Sequence, residues 1–223
     1  KAIKEAYRGE NIIAGDSMAS DLEAILKSLN VQWTMNFNVL SEEVAKSFAN
    51  QSMRHTDAAF LRTLQKHNFT VKLNLSNPVK SAAKVIINEN VSLIKSIHSQ
   101  YHTQINTMGW ESVKSGGDLA TLTESFMKRF DVTLSRATFI ASDQNAKAHS
   151  VFEKLRREEV GIEYAIWIHA HGAKQPRASH QAKHNHKYKL SEGMYIDGEW
   201  IHPKQKPNCN CGSKAIIPGV NSA

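Results

Sequence analysis

The sequence predicts a mainly α protein with a small C-terminal α+β domain: a helical body followed by a short-stranded domain rich in His and Cys. Three observations carry this expectation. Up to Gly161, apolar residues recur three and four positions apart, the period that gathers them on one helix face. After Gly161 the pattern changes to alternation punctuated by Gly, Pro and Asp-Gly, the signature of short strands and turns. The same C-terminal third holds both cysteines and six of the eleven histidines. The expected boundaries are 1–76 for an N-terminal helical region, 77–160 for a long-helix body and 161–223 for the small domain.

Each element has a local reason. Leu22, Ile25, Leu26, Leu29 and Trp33 share a helix face, with Ser17 or Ser20 as N-cap. A second helix is expected from the Ser41-Glu42-Glu43 cap through Val44, Phe48 and Met53, and a third over 57–66 with Phe60, Leu61 and Leu64. Phe69, Val71, Leu73 and Leu75 alternate with polar residues, which predicts a half-buried strand. Asn77-Pro78 opens the next helix, since proline's missing N–H has no partner in a first turn. That helix carries Val85, Ile86, Val91, Leu93, Ile94 and Ile97, with a break expected near Ser96. Gly116-Gly117 punctuates the chain before a short helix over 119–130 and a long one over 135–159, which Gly161 ends. A strand is expected over 163–170, and Met194-Tyr195-Ile196 and Glu199-Trp200-Ile201 flank Asp197-Gly198 as a hairpin.

Composition narrows the function classes. With 223 residues, 41% of them hydrophobic, the chain can bury a core without covalent help, and two cysteines cannot form a disulfide scaffold. The longest uncharged runs, 28–41 and 96–110, are laced with Asn, Gln, Ser, Thr and His, so no membrane-spanning helix is expected. The chain opens on Lys1 with no apolar block and cleavage site behind it, so no secretory leader is expected. A net charge of +7 suits a polyanionic neighbour.

His169, His180, Cys209 and Cys211 form the most informative constellation. Thiolates and imidazoles are the donors that zinc prefers, and four of them close a tetrahedral structural site. Cys-x-Cys on a tight turn can aim both sulfurs at one ion, although the spacing is not that of a familiar zinc finger. The competing reading is two buried thiols near surface histidines. His171, His184, His186 and His202 read as solvated. The run His184-Asn185-His186 invites a metal-dependent nuclease or hydrolase reading, but no acidic cluster accompanies it. Lys154, Arg156 and Arg157 at the end of the long helix read as a solvated face that complements the helix dipole.

Four blocks in order resemble the phage Mu F-like family of minor head proteins, also called phage head morphogenesis proteins. The first runs from Ile87-Asn88-Glu89-Asn90-Val91 to Leu93-Ile94-Lys95-Ser96-Ile97. The second is Ser135-Arg136-Ala137-Thr138-Phe139-Ile140-Ala141-Ser142-Asp143-Gln144-Asn145-Ala146-Lys147. The third passes from Gly161-Ile162 through Trp167-Ile168-His169 to Pro176-Arg177-Ala178-Ser179-His180, and the fourth is Asn208-Cys209-Asn210-Cys211 ahead of Ala215-Ile216-Ile217-Pro218. The chain departs from the family pattern at Asn210, where Arg is usual, at Asn185, where Gly is usual, and at Pro203-Lys204, near where a Pro-Gly pair is common.

The resemblance implies a structural virion component, located in the phage head interior or at the portal vertex and in the host cytoplasm during assembly. Its implied partners are the portal or major capsid protein and, without sequence preference, phage double-stranded DNA. The implied role is in head morphogenesis and in genome packaging or ejection, with no turnover of its own. Zinc held by His169, His180, Cys209 and Cys211 would be structural, because four protein ligands leave no position for water. The alternatives are a metal-dependent nuclease or hydrolase in the His-rich domain and a free nucleic-acid-binding module, the latter favoured by charge alone.

Overall fold

The computed structural model describes residues 15–114, 119–170 and 176–220. Among these residues it has the expected class: three long helices, then a region of short strands where His and Cys residues lie close together. The helices are α1 (Gly15–Lys66), α2 (Asn77–Lys114) and α3 (Leu119–Glu159). They are followed by β1 (Tyr164–Ile168), a one-turn helix α4 (Ala178–Gln181), β2 (Lys187–Lys189), β3 (Met194–Ile196), β4 (Glu199–Ile201) and β5 (Gly212–Ala215). No helix among the described residues is long and apolar enough to cross a membrane. Gly116-Gly117 and His171 lie outside the described residues.

The helices are longer than the sequence pattern suggested. The three helices expected before residue 67 are one, and Ser17, Ser20 and Ser41 lie inside it rather than at caps. The reason is visible at Ser41: its hydroxyl donates back to the Asn38 carbonyl oxygen at 3.2 Å, a bond that a helix interior tolerates. Ser96 does the same toward Leu93 at 2.7 Å, and α2 continues through it without the expected break. The short and long helices expected over 119–159 are likewise continuous.

Helix ends are well specified. At the end of α1, Phe69 N–H donates to Leu64 O and Asn68 N–H to Gln65 O, with Asn68 at φ +62°. At the end of α3, Ile162 N–H donates to Arg157 O and Gly161 N–H to Glu158 O, with Gly161 at φ +77°. Both are Schellman caps, in which a left-handed residue returns two orphan carbonyls to hydrogen bonding.

The chain divides into two compact units that interleave along the sequence. The first comprises Lys1–Ala45 and Asn88–Ile140, and the second Lys46–Ile87 and Ala141–Ala223. In the first, Leu22 and Leu26 are buried against Gly109, whose missing side chain lets them approach: a Cβ there would meet Leu22 Cδ2 at 3.4 Å. Trp33, Phe37, His98 and Tyr101 form a ring cluster, in which Phe37 stacks on His98 at 5.0 Å.

In the second unit, β1 is the central strand of an antiparallel sheet in the order β2-β1-β5, with Ala165 opposite Tyr188 and Ala215. Its core face is Ala165 and Trp167, both fully buried, while Tyr164 of the alternate face is exposed. They pack with Phe60, Leu64, Ile162, Leu190, Ile196 and Ile201. A neighbouring cluster joins Ala49, Val79, Ile86, Ala148 and Phe152. The hairpin β3-β4 turns at Asp197-Gly198 as expected, with φ of +52° and +87°, the double positive φ that a type I′ turn requires.

The strand expected over 69–75 does not form. The segment has no regular secondary structure and pairs with no strand. Its alternation has another origin: Val71 and Leu73 pack on the core while Phe69 and Leu75 face outward. Arg156, expected on a solvated face, is instead buried and fastens this segment. It donates from Nε and Nη2 to both carboxylate oxygens of Asp57 at 2.7 and 2.8 Å, and from Nη1 to Asn74 O at 2.6 Å and Glu159 Oε2 at 2.8 Å. Arg157 is also buried, and it blocks the outer edge of β5 by donating to Ser213 O at 2.9 Å and Ser213 Oγ at 2.6 Å.

Candidate metal centre

The second unit gathers its two cysteines against histidines. Cys209 and Cys211 sit on the loop before β5, both buried. His180 is held inward on α4, where the Trp167 ring meets it edge-on at 5.5 Å. Cys209 Sγ lies 3.5 Å from His180 Nδ1, Cys211 Sγ lies 3.7 Å from the same atom, and Cys211 Sγ lies 3.6 Å from His169 Nδ1. The ligand atoms of His180, Cys209 and Cys211 all fall within 4.8 Å of one another, so these three could hold a metal ion. His169 joins through Cys211 and stands outside that mutual set.

These separations have a physical scale. A tetrahedral zinc ion with Zn–S of about 2.3 Å and Zn–N of about 2.0–2.1 Å sets its S···N edges at about 3.5–3.6 Å. The three observed S···N distances cluster at that value. The cavity bounded by His169, Arg177, His180, Cys209 and Cys211 is about 10 Å³, room for an ion rather than for a substrate.

The thiols are prepared for a cation. Cys209 is pulled down to about 5, chiefly because the Cys211 thiol donates a hydrogen bond to it, with the backbone N–H groups of Cys211 and Lys204 and the charge of His180 adding to the effect against burial. Cys211 is pushed up by holding that proton beside the Cys209 thiolate and by burial. The pair therefore keeps one proton between two sulfurs. A metal ion replaces such a proton, since the thiolate is the ligand form. The Ala170 backbone N–H acts on Cys211 in the opposite direction, as a donor that stabilises a thiolate.

An outer layer fixes these side chains. His184 Nδ1 accepts the His169 backbone N–H at 3.0 Å, which positions the end of β1. Arg177 Nη2 donates to Pro207 O at 3.0 Å and so ties the approach to α4 to the cysteine loop. Asp143 of α3 accepts the Asn208 N–H at 3.2 Å and pairs with Lys147 at 2.9 Å. Asn208 takes φ +59°, which turns the chain into the Cys-x-Cys segment.

The chain is similar to an uncharacterized protein of Haemophilus influenzae. The two are 26% identical over 199 residues, covering 86% of this chain and 43% of that protein, from strain ATCC 51907 / DSM 11121 / KW20 / Rd. The chain thus spans less than half the length of the curated relative it matches. No family model matches, and no solved structure matches.

The remaining histidines separate by environment. His186 is exposed, and no metal cluster among the described residues includes it or His184. His202 is not solvated as expected: it packs against Tyr188 at 6.3 Å, and burial lowers its pKa. Sequence reasoning missed Asp143, Arg177 and Ser213 as supports. Only Asp143 and Arg177 had a signal, each lying within one of the four resemblance blocks.

Proposed function

We propose that this chain is a Mu F-like minor head protein: a structural component of a tailed-phage virion, docked on the portal or inner capsid, acting in head morphogenesis and in genome packaging or ejection. Its C-terminal region is stapled by one zinc ion on His180, Cys209, Cys211 and, as fourth ligand, His169. The observation that carries this reading is where the resemblance blocks meet. The third block supplies His169 and His180, the fourth supplies Cys209 and Cys211, and Asp143 of the second holds Asn208 of the fourth. With His169 as the fourth ligand the set would be closed, and a cavity of about 10 Å³ favours structure over turnover.

Two further features support contact with other molecules. The net charge of +7 attracts phosphates, and the first unit exposes apolar residues at helical spacing, Val31, Met35 and Val39 on α1 and Met127, Phe130 and Leu134 on α3, of the kind that a partner covers. The test is reconstitution with portal and coat proteins followed by imaging of the assembled heads, alongside DNA binding across a salt series. Incorporation into heads, with DNA affinity that falls steeply with salt, is expected. Metal-dependent DNA cleavage that is lost in a folded His180→Ala variant would replace this reading with the nuclease.

A further inference from the structure

In the first unit, helix α1 leaves a stretch of its surface without cover. Over residues 30–40 every side chain is exposed except Phe37, which is half-buried. Val31 at 55%, Met35 at 64% and Val39 at 65% are among the most exposed large apolar residues described. Residues 28–41 carry no charge, so a charged partner finds nothing to pair with between the two ends of this stretch.

The stripe reads alike in both directions. At 3.6 residues per turn, Ser28, Val31, Met35, Val39 and Glu42 fall within an arc of about 80° on α1. All five are exposed. Their spacings of three, four, four and three mirror one another about Met35. The charges that flank the stripe are opposite in sign, exposed Lys27 before it and exposed Glu42-Glu43 at its end.

A two-fold axis at Met35 therefore matches this surface to itself. In an antiparallel pair of copies each residue meets the one equally far on the other side of Met35. Val31 meets Val39, Met35 meets Met35, and the Ser28 hydroxyl comes opposite the Glu42 carboxylate, a donor against an acceptor. Lys27 of each copy comes level with Glu42-Glu43 of the other. A parallel pair in register instead sets Lys27 against Lys27 and Glu42 against Glu42, and like charges across an interface repel.

Size sets the strength. Residues 27–43 span about 25 Å of helix at 1.5 Å per residue, and one helix is about 10–12 Å wide. The seam covers about 300 Å² of each copy, less than half of the roughly 800 Å² per partner in a standard stable interface. The association it supports is weak and reversible.

We propose that the stripe centred on Met35 is a homotypic docking surface, through which two copies of this chain pair antiparallel, α1 against α1. The pairing needs nothing from the head-protein reading, and it gives the exposed apolar residues of α1 an occupant of defined chemistry.

Sedimentation equilibrium of the full chain over about 5–500 µM tests the pairing. A monomer–dimer equilibrium with a dissociation constant of about 10–100 µM is expected. Met35→Lys exchanges an exposed residue for one of similar helix propensity, so circular dichroism should be unchanged while dimerisation weakens at least about tenfold, or 1.4 kcal/mol. Lys27→Glu is expected to weaken it about three- to tenfold, and adding Glu42→Lys and Glu43→Lys to Lys27→Glu to restore the parent value. In a parallel pair Lys27→Glu exchanges one like-charge contact for another, so a Lys27→Glu variant that dimerises like the parent overturns the antiparallel seam. A chain that stays monomeric at about 500 µM, or a dimer that Met35→Lys leaves intact, overturns the proposal outright. A monomeric chain whose Met35→Lys variant fails to enter reconstituted heads overturns it in favour of a different protein on the stripe.

Discussion

Replacing Arg156 by Met removes the fastener between α1, the extended segment and the end of α3. The guanidinium side chain is 3% exposed and makes four hydrogen bonds, two of them bidentate to Asp57. Breaking a buried ion pair from one side costs about 3–5 kcal/mol, because the remaining charge stays buried. Here Asp57 and Glu159 are each 24% exposed, so water recovers part of that cost. The Asn74 carbonyl loses its donor as well, at about 1 kcal/mol. A net loss of about 2–4 kcal/mol follows, which for a chain of this size lowers the melting temperature by about 5–15 °C. Urea unfolding measures the loss, and hydrogen exchange at residues 69–76 should rise before global unfolding. Adding Asp57→Asn to Arg156→Met should cost less than the two single losses summed, as expected for residues in one network. A stability change below about 0.5 kcal/mol, with residues 69–76 still protected, would refute the clamp.

Gly193→Ala should destabilise by about 2–3 kcal/mol in thermal melts, since φ is +89° and a Cβ would lie 2.7 Å from the Ile201 carbonyl oxygen; a neutral change would contradict that geometry. Burial holds His149 and His202 below the usual histidine value, so their stabilising effect is complete above about pH 6.5 and is lost as pH falls through their lower folded-state values. Urea midpoints measured from pH 7.5 to 5 should therefore fall, and His202→Gln should flatten the curve; an unchanged slope would argue against a buried neutral ring. Asp143→Ala should speed metal loss to a chelator by about tenfold without removing a ligand, because outer hydrogen bonds to a metal loop tune affinity on that scale. His180→Ala should lower metal affinity more than His169→Ala, given that His180 contacts both sulfurs and His169 one.

Much of this architecture was legible because short-range rules governed it. Pro78, Gly161 and Asp197-Gly198 mark boundaries by backbone chemistry alone, and each boundary stands where its residue predicts. Three misreadings share one cause, local signals read without the fold around them. Ser41-Glu42-Glu43 spells a cap, yet Ser41 is fully buried and bonds back within the helix. Residues 69–75 alternate like a strand, yet the partner that satisfies Asn74 O is an arginine 82 positions away. Arg156 and Arg157 looked like dipole-complementing surface cations because nothing in the adjacent sequence names Asp57 or Ser213 as their partners. The cysteines and His180 were legible as a set because soft donors are scarce in the chain and their chemistry converges on one kind of ion.

Zinc K-edge X-ray absorption on the purified full chain, with metal content measured on the same sample, tests the staple most directly. The expected result is about one zinc per chain with two sulfur neighbours near 2.3 Å and two nitrogen neighbours near 2.0–2.1 Å. A chain that folds without metal and takes up none, or a bound ion whose first shell includes a water oxygen in place of His169, would contradict the closed structural site.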